Sequence, residues 1–415
     1  MMVTPIVRVV APALTTTHLL CDAGENVRGR LSPRGDARSR RPDPRTRPLW
    51  WLLALLAALL ATPVTAGGRP AAAHVAVFVT TFAGGVYRRD GDTPWRRLWQ
   101  SPDPDTEGSR VWSFVATDDG RRLYVSGYTS TLWRSIDGGR TWRRAERGLH
   151  GGGDSPTLDH LQADPRDPRV VYGDGFGGLY KTSDGGDTWR RLDRGLPTSL
   201  VCLMALNRPT GDSLWATASV MDPDVAYRLF HSADGGATWR AVRGRSLPAS
   251  AGTACEDTGD LNVAVPPFDP RVLYLNAGSP GGGAGADLYR SDDGGAHWAP
   301  LHPRYATGDE AGPSGALRFD LWHPGRLYIA GTDSTGNTVY LSEDGGHTWR
   351  KPPGLPPDTQ EVVPDPTSPL VAYAPGAHGV YRTVDGGRTW HDWTGPTLPV
   401  RDDNQIVNFQ VEIVR

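Results

Sequence analysis

The sequence predicts an all-β chain: a single seven-bladed β-propeller with four-stranded blades, its terminal blade closed by the C-terminal strand and the N-terminal strands. Three observations predict it. An octapeptide ending in Trp recurs six times, with a seventh, degenerate copy upstream. Short alternating segments around each copy supply four strands per repeat of about 50 residues. The chain then ends in a segment that alternates apolar and polar residues, as a lone strand would. Composition agrees, since 51 Gly and 36 Pro in 415 residues disfavour long helices. Fifteen Trp, 13 Tyr and 8 Phe supply core material that a disordered chain lacks.

Residues 1–66 read as a leader. Residues 1–49 hold nine Arg and four acids, and residues 50–66 hold no charge. The run Leu49–Ala61 is 13 residues long, short for a membrane span but right for a signal-peptide core behind a basic segment. Val64-Thr65-Ala66 offers small residues for cleavage before Gly67, and an uncleaved anchor is the rival reading. Residues 67–415 carry 35 basic and 42 acidic residues. A mildly acidic body does not suit a nucleic-acid partner, so none is expected. Export is expected to an extracellular, periplasmic or cell-surface location, with membrane contact only through an uncleaved leader.

Three Cys follow. Cys21 falls in the leader, which leaves Cys202 and Cys255. In an oxidising compartment they are expected to form one disulfide, worth roughly 4 kcal/mol for a loop of this length. Two separate buried thiols are the alternative. No Cys or His spacing suits zinc, and no phosphate loop or nucleophile or cofactor fingerprint occurs, so no metal or cofactor is expected.

The octapeptide reads Ser/Thr-x-Asp-Gly-Gly-x-Thr-Trp, with one His for Thr. Its Asp residues are Asp137, Asp184, Asp234, Asp293, Asp344 and Asp385, its Trp residues Trp142, Trp189, Trp239, Trp298, Trp349 and Trp390. The degenerate copy contributes Asp90 and Trp95. Asp-Gly-Gly makes a tight turn in which Gly takes positive φ freely. The carboxylate is expected to accept backbone N–H groups inside that turn, and the Trp to pack between strands. These residues read as structural.

Strands flank each copy. Gly178–Thr182 and Gly379–Thr383 precede it, and Thr188–Leu192 follows it. Upstream lie a β-rich run such as Arg169–Tyr172, a turn often opened by Asp-Pro, and an apolar strand such as Ala316–Trp322. Near the N-terminus only three strands are available: Val75–Thr80, Gly85–Arg89 and Trp95–Trp99. Val407, Phe409, Val411 and Ile413 alternate with Asn408, Gln410 and Glu412 to supply the missing inner strand. Such closure removes free sheet edges.

In this topology the octapeptide shares one face with the turn between the first two strands. The opposite rim is where a functional site is expected. Asp174, Asp222 and Glu256 are its candidate catalytic acids. Phe82, Tyr128, Asp174, Phe176, Tyr305 and His378 are its candidate binding residues. Aromatics beside acids suit a carbohydrate or a cationic peptide, whereas solvated loop charge is the bland alternative.

The octapeptides resemble those of the Asp-box (bacterial neuraminidase) repeat family, over nearly all of residues 75–415. Its sialidases use six blades and an Arg-Ile-Pro motif that does not occur here. Its xyloglucan-cleaving hydrolases carry Tyr-Ala-Arg-Thr-Asp-x-Gly-Gly-x-Tyr-Arg with a catalytic Asp. Here Phe78-Val-Thr-Thr-Phe-Ala-Gly-Gly-Val-Tyr-Arg88 places Phe82 where that acid stands, and Tyr172–Tyr180 places Phe176 there. In size, leader and blade count the chain is similar to the photosystem II assembly factors, which bind protein without catalysis. The resemblance implies an exported, monomeric, non-catalytic propeller that engages a protein or glycan through the rim. A polysaccharide-cleaving glycoside hydrolase is the alternative.

Overall fold

The computed structural model describes residues 74–414 apart from 103–110, 118–119, 128–130, 151–157, 159, 176–177, 197–200, 207–211, 219–227, 247–261, 278–286, 302–303, 306–312, 334–335 and 401–403. The leader, Cys21 and Cys255 lie outside these residues, as does the Cys202 side chain. Among the described residues there is no helix, and therefore none long and apolar enough to cross a membrane.

Seven antiparallel blades form a ring, a β-propeller. From inner to outer strand, blade 1 is Ile406–Val414, His74–Thr81, Gly85–Asp90 and Arg96–Gln100. Blade 2 is Val111–Ala116, Leu123–Gly127, Leu132–Ser135 and Arg143–Arg144; blade 3 is His160–Ala163, Val171–Gly175, Gly178–Thr182 and Arg190–Arg191. Blade 4 is Val201–Leu206, Leu214–Ala218, Arg228–Ser232 and Arg240–Ala241; blade 5 is Asn262–Ala264, Leu273–Ala277, Asp287–Ser291 and Ala299–Pro300. Blade 6 begins Pro313–Phe319, Leu327–Asp333 and Gly336–Ser342; blade 7 is Val363–Pro364, Ala372–Gly376, Gly379–Thr383 and His391–Asp392.

Blade 6 departs from the pattern. Its outer strand, Thr348–Trp349, joins the third strand through reciprocal bonds between Leu341 and Arg350 (2.8 and 3.0 Å). On its other side it pairs in parallel with Arg304–Tyr305. Its inner strand stops at Phe319, short of the expected Trp322. The reason is Asp320, whose carboxylate accepts the N–H groups of Trp322 (2.8 Å) and His323 (3.2 Å) and turns the chain.

The core lies between blades. Apolar clusters fill every junction, such as Tyr124, Leu132, Leu161 and Trp189 between blades 2 and 3. The junction of blades 7 and 1 is filled in the same way by Tyr373, Trp393, Val77 and Phe409. The C-terminal strand pairs along the whole of the first, from His74 opposite Val414 to Thr81 opposite Ile406. Its polar residues are buried rather than solvated. Gln410 spans the Ala116 backbone of blade 2 (2.9 Å from N–H, 3.3 Å to C=O), and Asn408 donates to Thr80 Oγ1 (2.9 Å).

Each of the six octapeptides builds the same turn. In blade 2, Ser135 Oγ donates to Asp137 Oδ1 (2.8 Å) and accepts from Gly139 N–H (2.9 Å). Asp137 accepts from the N–H and hydroxyl of Thr141 (2.9 and 2.6 Å). In blade 5, His297 Nδ1 replaces the hydroxyl at 2.6 Å. Both glycines take positive φ, 74° and 86° at Gly138 and Gly139, which a side chain would strain. The first glycine also donates to a carbonyl of the first-to-second-strand turn, as Gly185 does to Arg169 (2.9 Å) and Gly386 to Leu370 (2.9 Å). The two kinds of turn therefore share a face.

The degenerate copy does not build this network. Arg88 stands where the hydroxyl should be and takes the Asp90 carboxylate itself, at 3.0 Å from Nε and 2.7 Å from Nη2. Trp95 is still buried, and its N–H donates to Thr397 Oγ1 of the last repeat (2.9 Å).

Neighbouring blades are also clamped directly. Trp189 and Trp239 donate backbone N–H to Arg147 (2.8 Å) and Arg194 (3.0 Å) of the preceding connection. A Cβ on Gly148 would lie 2.2 Å from the Trp189 carbonyl, so only glycine permits this approach. A cation ending the third strand reaches the next turn: Arg134 to Gly185 O, Lys181 to Gly235 O (3.2 Å) and Arg290 to Gly345 O (3.5 Å).

Thr182 is fully buried, so Thr182→Val leaves the Gly186 N–H without its acceptor. The expected loss is about 1–3 kcal/mol in urea unfolding, with Thr182→Ser restoring most of it. Hydrogen bonds from Thr141 hold Asp137 at about 2, below its ordinary 3.8. Asp234 and Asp293 sit at about 2 through Thr238 and His297. At Asp184 and Asp344 burial pushes up, but bonds from Thr188 and Thr348 outweigh it and give about 2. Folded values below unfolded ones mean stability that is complete above about pH 4 and lost as pH falls towards 2. Circular dichroism against pH should place the acid transition in that window.

Candidate functional site

The topology puts the second-to-third-strand turns and the outer-to-inner connections on the rim opposite the octapeptides. Phe82 lies in the turn Thr81–Gly84 of blade 1. Gly84 N–H closes this turn on Thr81 O (2.9 Å). Two other segments then hold it. Phe82 N–H donates to Gln405 O (2.8 Å), Ala83 N–H to Asn404 Oδ1 (2.8 Å), and Gln100 Nε2 to Ala83 O (2.6 Å). The turn is thus fixed by the entry to the C-terminal strand, while Phe82 itself is 39% exposed.

The same entry reaches blade 7. Ile406 N–H donates to Ala377 O (3.1 Å), next to exposed His378. Phe82 and His378 therefore border the start of one strand from its two sides. Nothing in their spacing of nearly 300 residues announces this; it follows from ring closure.

Asp174 sits in the second strand of blade 3, opposite His160 of the inner strand. It is buried, and His160 occupies both of its oxygens. The His160 N–H donates to Oδ1 (3.1 Å), and its Nδ1 lies 3.1 and 3.2 Å from Oδ1 and Oδ2. A carboxylate so held fixes the imidazole orientation. It is a buried acceptor for the groups of His160. Sequence reasoning missed His160, and only the cross-strand register brings the pair together.

Tyr305 lies beside the outer strand of blade 6, paired to Trp349. Tyr128, Phe176, Asp222 and Glu256 lie outside the described residues. Among the described residues no group of three or more His, Cys, Asp or Glu could hold a metal ion. Tyr180 accepts from His150 N–H (3.3 Å) and donates to its carbonyl, fixing the connection that leads into blade 3.

Comparison with known proteins gives two kinds of likeness. No family model matches the chain. A xyloglucanase from Paenibacillus sp is 27% identical over 322 residues, 66% of this chain and 30% of that protein. An oligoxyloglucan-reducing end-specific xyloglucanase from Emericella nidulans is 28% identical over 216 residues, 48% of this chain and 26% of that protein. The chain thus spans about a third or less of the curated relatives it matches. Among solved structures, the GH74 xyloglucanase from Xanthomonas campestris superposes with TM-score 0.57 at 21% identity, covering 79% of this chain and 53% of that one. The GH74 enzyme of Niastella koreensis gives TM-score 0.52 at 17% identity, covering 81% and 52%. These likenesses carry the propeller fold.

Asp174→Ala removes the acceptor of a partly buried N–H and of an imidazole. An unfolding free energy lower by about 1–3 kcal/mol is expected in urea titration.

Proposed function

We propose that this chain is an exported propeller that binds a polysaccharide of the xyloglucan class at its rim without hydrolysing it. The observation that carries the reading is Phe82. An aromatic ring sits on a turn fixed by two other segments, at the position where the resembling hydrolases carry their acid. Aromatic rings stack on sugar faces, and a ring fixed in advance loses little freedom when it does so. The leader supports export, and the xyloglucanase relatives support the glycan class.

Hydrolysis is the second reading, favoured by what those relatives are called. The usual mechanism needs two carboxyl groups about 5–9.5 Å apart on either side of the scissile bond. Asp174, buried against His160, is poorly placed for that role. Protein binding at the same rim, as in the assembly factors the sequence resembles, would use the same exposed turn.

Titration of full-length protein with xyloglucan oligosaccharides should show binding that weakens about tenfold in Phe82→Ala, the loss of one stacked ring. No reducing ends should appear on prolonged incubation. Hydrolysis that disappears in Asp174→Asn, with the fold intact, would replace this reading by the second one.

A further inference from the structure

The outer strands carry a charge pattern that the propeller fold does not require. Directly after the octapeptide Trp of blades 2, 3 and 4 come the stretches Arg143–Arg147, Arg190–Arg194 and Arg240–Arg245. Their 16 residues hold nine Arg, no Lys and two acids, Glu146 and Asp193. Residues 67–415 carry 35 basic and 42 acidic residues, so about a quarter of the cations of an acidic body are gathered in this one place. The corresponding stretches of blades 5 and 7 lack them: Ala299–Leu301 has no charge, and His391–Gly395 holds an acid, Asp392.

Hydrogen bonds join the three stretches into one surface. Each begins in an outer strand and then crosses to the following blade, where a Trp N–H takes one of its carbonyls. Arg147 O accepts from Trp189 (2.8 Å), Arg194 O from Trp239 (3.0 Å) and Arg245 O from Trp298 (3.0 Å). The last Arg of one blade therefore stands against the outer strand that carries the first Arg of the next. Glycines hold the crossings close: a Cβ on Gly195 would lie 2.4 Å from Trp239 O, and one on Gly244 2.5 Å from Gly295 O. A belt of arginines thus runs along the outside of three blades on backbone fixed in advance.

All nine side chains are exposed. Three meet an acid: Arg143 with Asp187 (3.0 Å), Arg144 with Glu146 (3.7 Å) and Arg191 with Asp193 (2.9 Å). Among the described residues Arg147, Arg190, Arg194, Arg240, Arg243 and Arg245 make no ion pair. A lone exposed cation is satisfied by water. Six along one continuous track sum to a positive field, and an anion repeated along a chain answers that field at several points together.

Residue type and surroundings narrow the chemistry. Guanidinium forks match planar carboxylates in pairs of parallel hydrogen bonds. None of the exposed large apolar side chains lies in these stretches, so a bilayer finds no anchor there. Trp189 and Trp239 beside the belt are buried, so no ring is offered to stack a nucleic-acid base. A saccharide, chosen over other polyanions on the strength of the exported, glycan-binding reading above, fits what remains. We propose that the arginine belt of blades 2–4 binds an acidic polysaccharide that carries uronate carboxylates along its length. It is a second site, apart from Phe82, and it would hold the molecule on an acidic glycan while the rim engages a neutral one.

Titration of the full-length protein with polygalacturonate at low ionic strength tests this. Replacing Arg147, Arg190 and Arg194 together by Gln should weaken binding about tenfold or more. Replacing Arg271, Arg350 and Arg388 together by Gln removes the same charge from exposed sites on blades 5–7 and should leave binding unchanged. Added salt should weaken the native protein more steeply than the belt variant. Thermal melts check that both variants keep the fold. Phe82→Ala should bind polygalacturonate normally, and the belt variant should bind xyloglucan oligosaccharides as the native protein does, so each site can fail without the other. The proposal is overturned by absence of polygalacturonate binding at low salt, or by equal weakening in the two triple variants. It is equally overturned if duplex DNA or phosphatidylglycerol vesicles bind more tightly than polygalacturonate and lose that binding in the belt variant, since a nucleic acid or a membrane would then be the occupant.

Discussion

One hydroxyl, bonded at once to a carboxylate and to a glycine N–H, is the constraint on which the architecture rests. It holds two successive residues at positive φ and turns the third strand sharply into the outer one. The turn then presents its first glycine N–H to the turn between the first two strands, so one motif ties together both hairpins of a blade. The tryptophan that ends the motif extends the tie sideways, through its backbone N–H and its buried ring, to the blade before. Apolar burial supplies most of the cohesion, but this polar geometry sets the pitch at which successive sheets can pack.

The consequence is a division of labour between two faces. The octapeptide face is built by local hydrogen bonds that recur, so its exceptions are conspicuous and can be interpreted. Leu341 in place of a cation is one such exception. The opposite rim is built by connections of unequal length with no shared rule. Its fixed point is the entry to the C-terminal strand, where Asn404, Gln405 and Ile406 hold turns from the first and last blades.

Much of this was legible in the sequence, for a physical reason. The Asp-Gly-Gly turn uses residues that few other conformations need, and its satisfied groups lie within seven positions, so spacing alone reveals it. The closing strand was legible through the alternation of Val407, Phe409, Val411 and Ile413. The fate of Asn408 and Gln410 was not: alternation suggests solvated polar residues, whereas Gln410 is buried against the next blade and Asn408 against Thr80 of its own. The pairing of Asp174 with His160 depends on register between strands joined by a turn, which composition does not encode. The pairing of Tyr305 with Trp349 was likewise hidden, because it joins a connection to an outer strand more than 40 residues further along the chain. Asp90 was misleading because Arg88 competes for its carboxylate.

Closure by residues 406–414 has a temporal meaning as well as a spatial one. The partner of His74 is Val414, so the first sheet cannot be completed until about 340 further residues have been made. Six sheets are drawn from contiguous stretches and can assemble as they emerge, whereas the remaining one waits with its inner edge unpaired. Contacts so distant along the chain are slow to form and leave apolar strands open to wrong partners in the interval. For a protein of this design, the hazardous moment is the delay between synthesis of its first strand and its last.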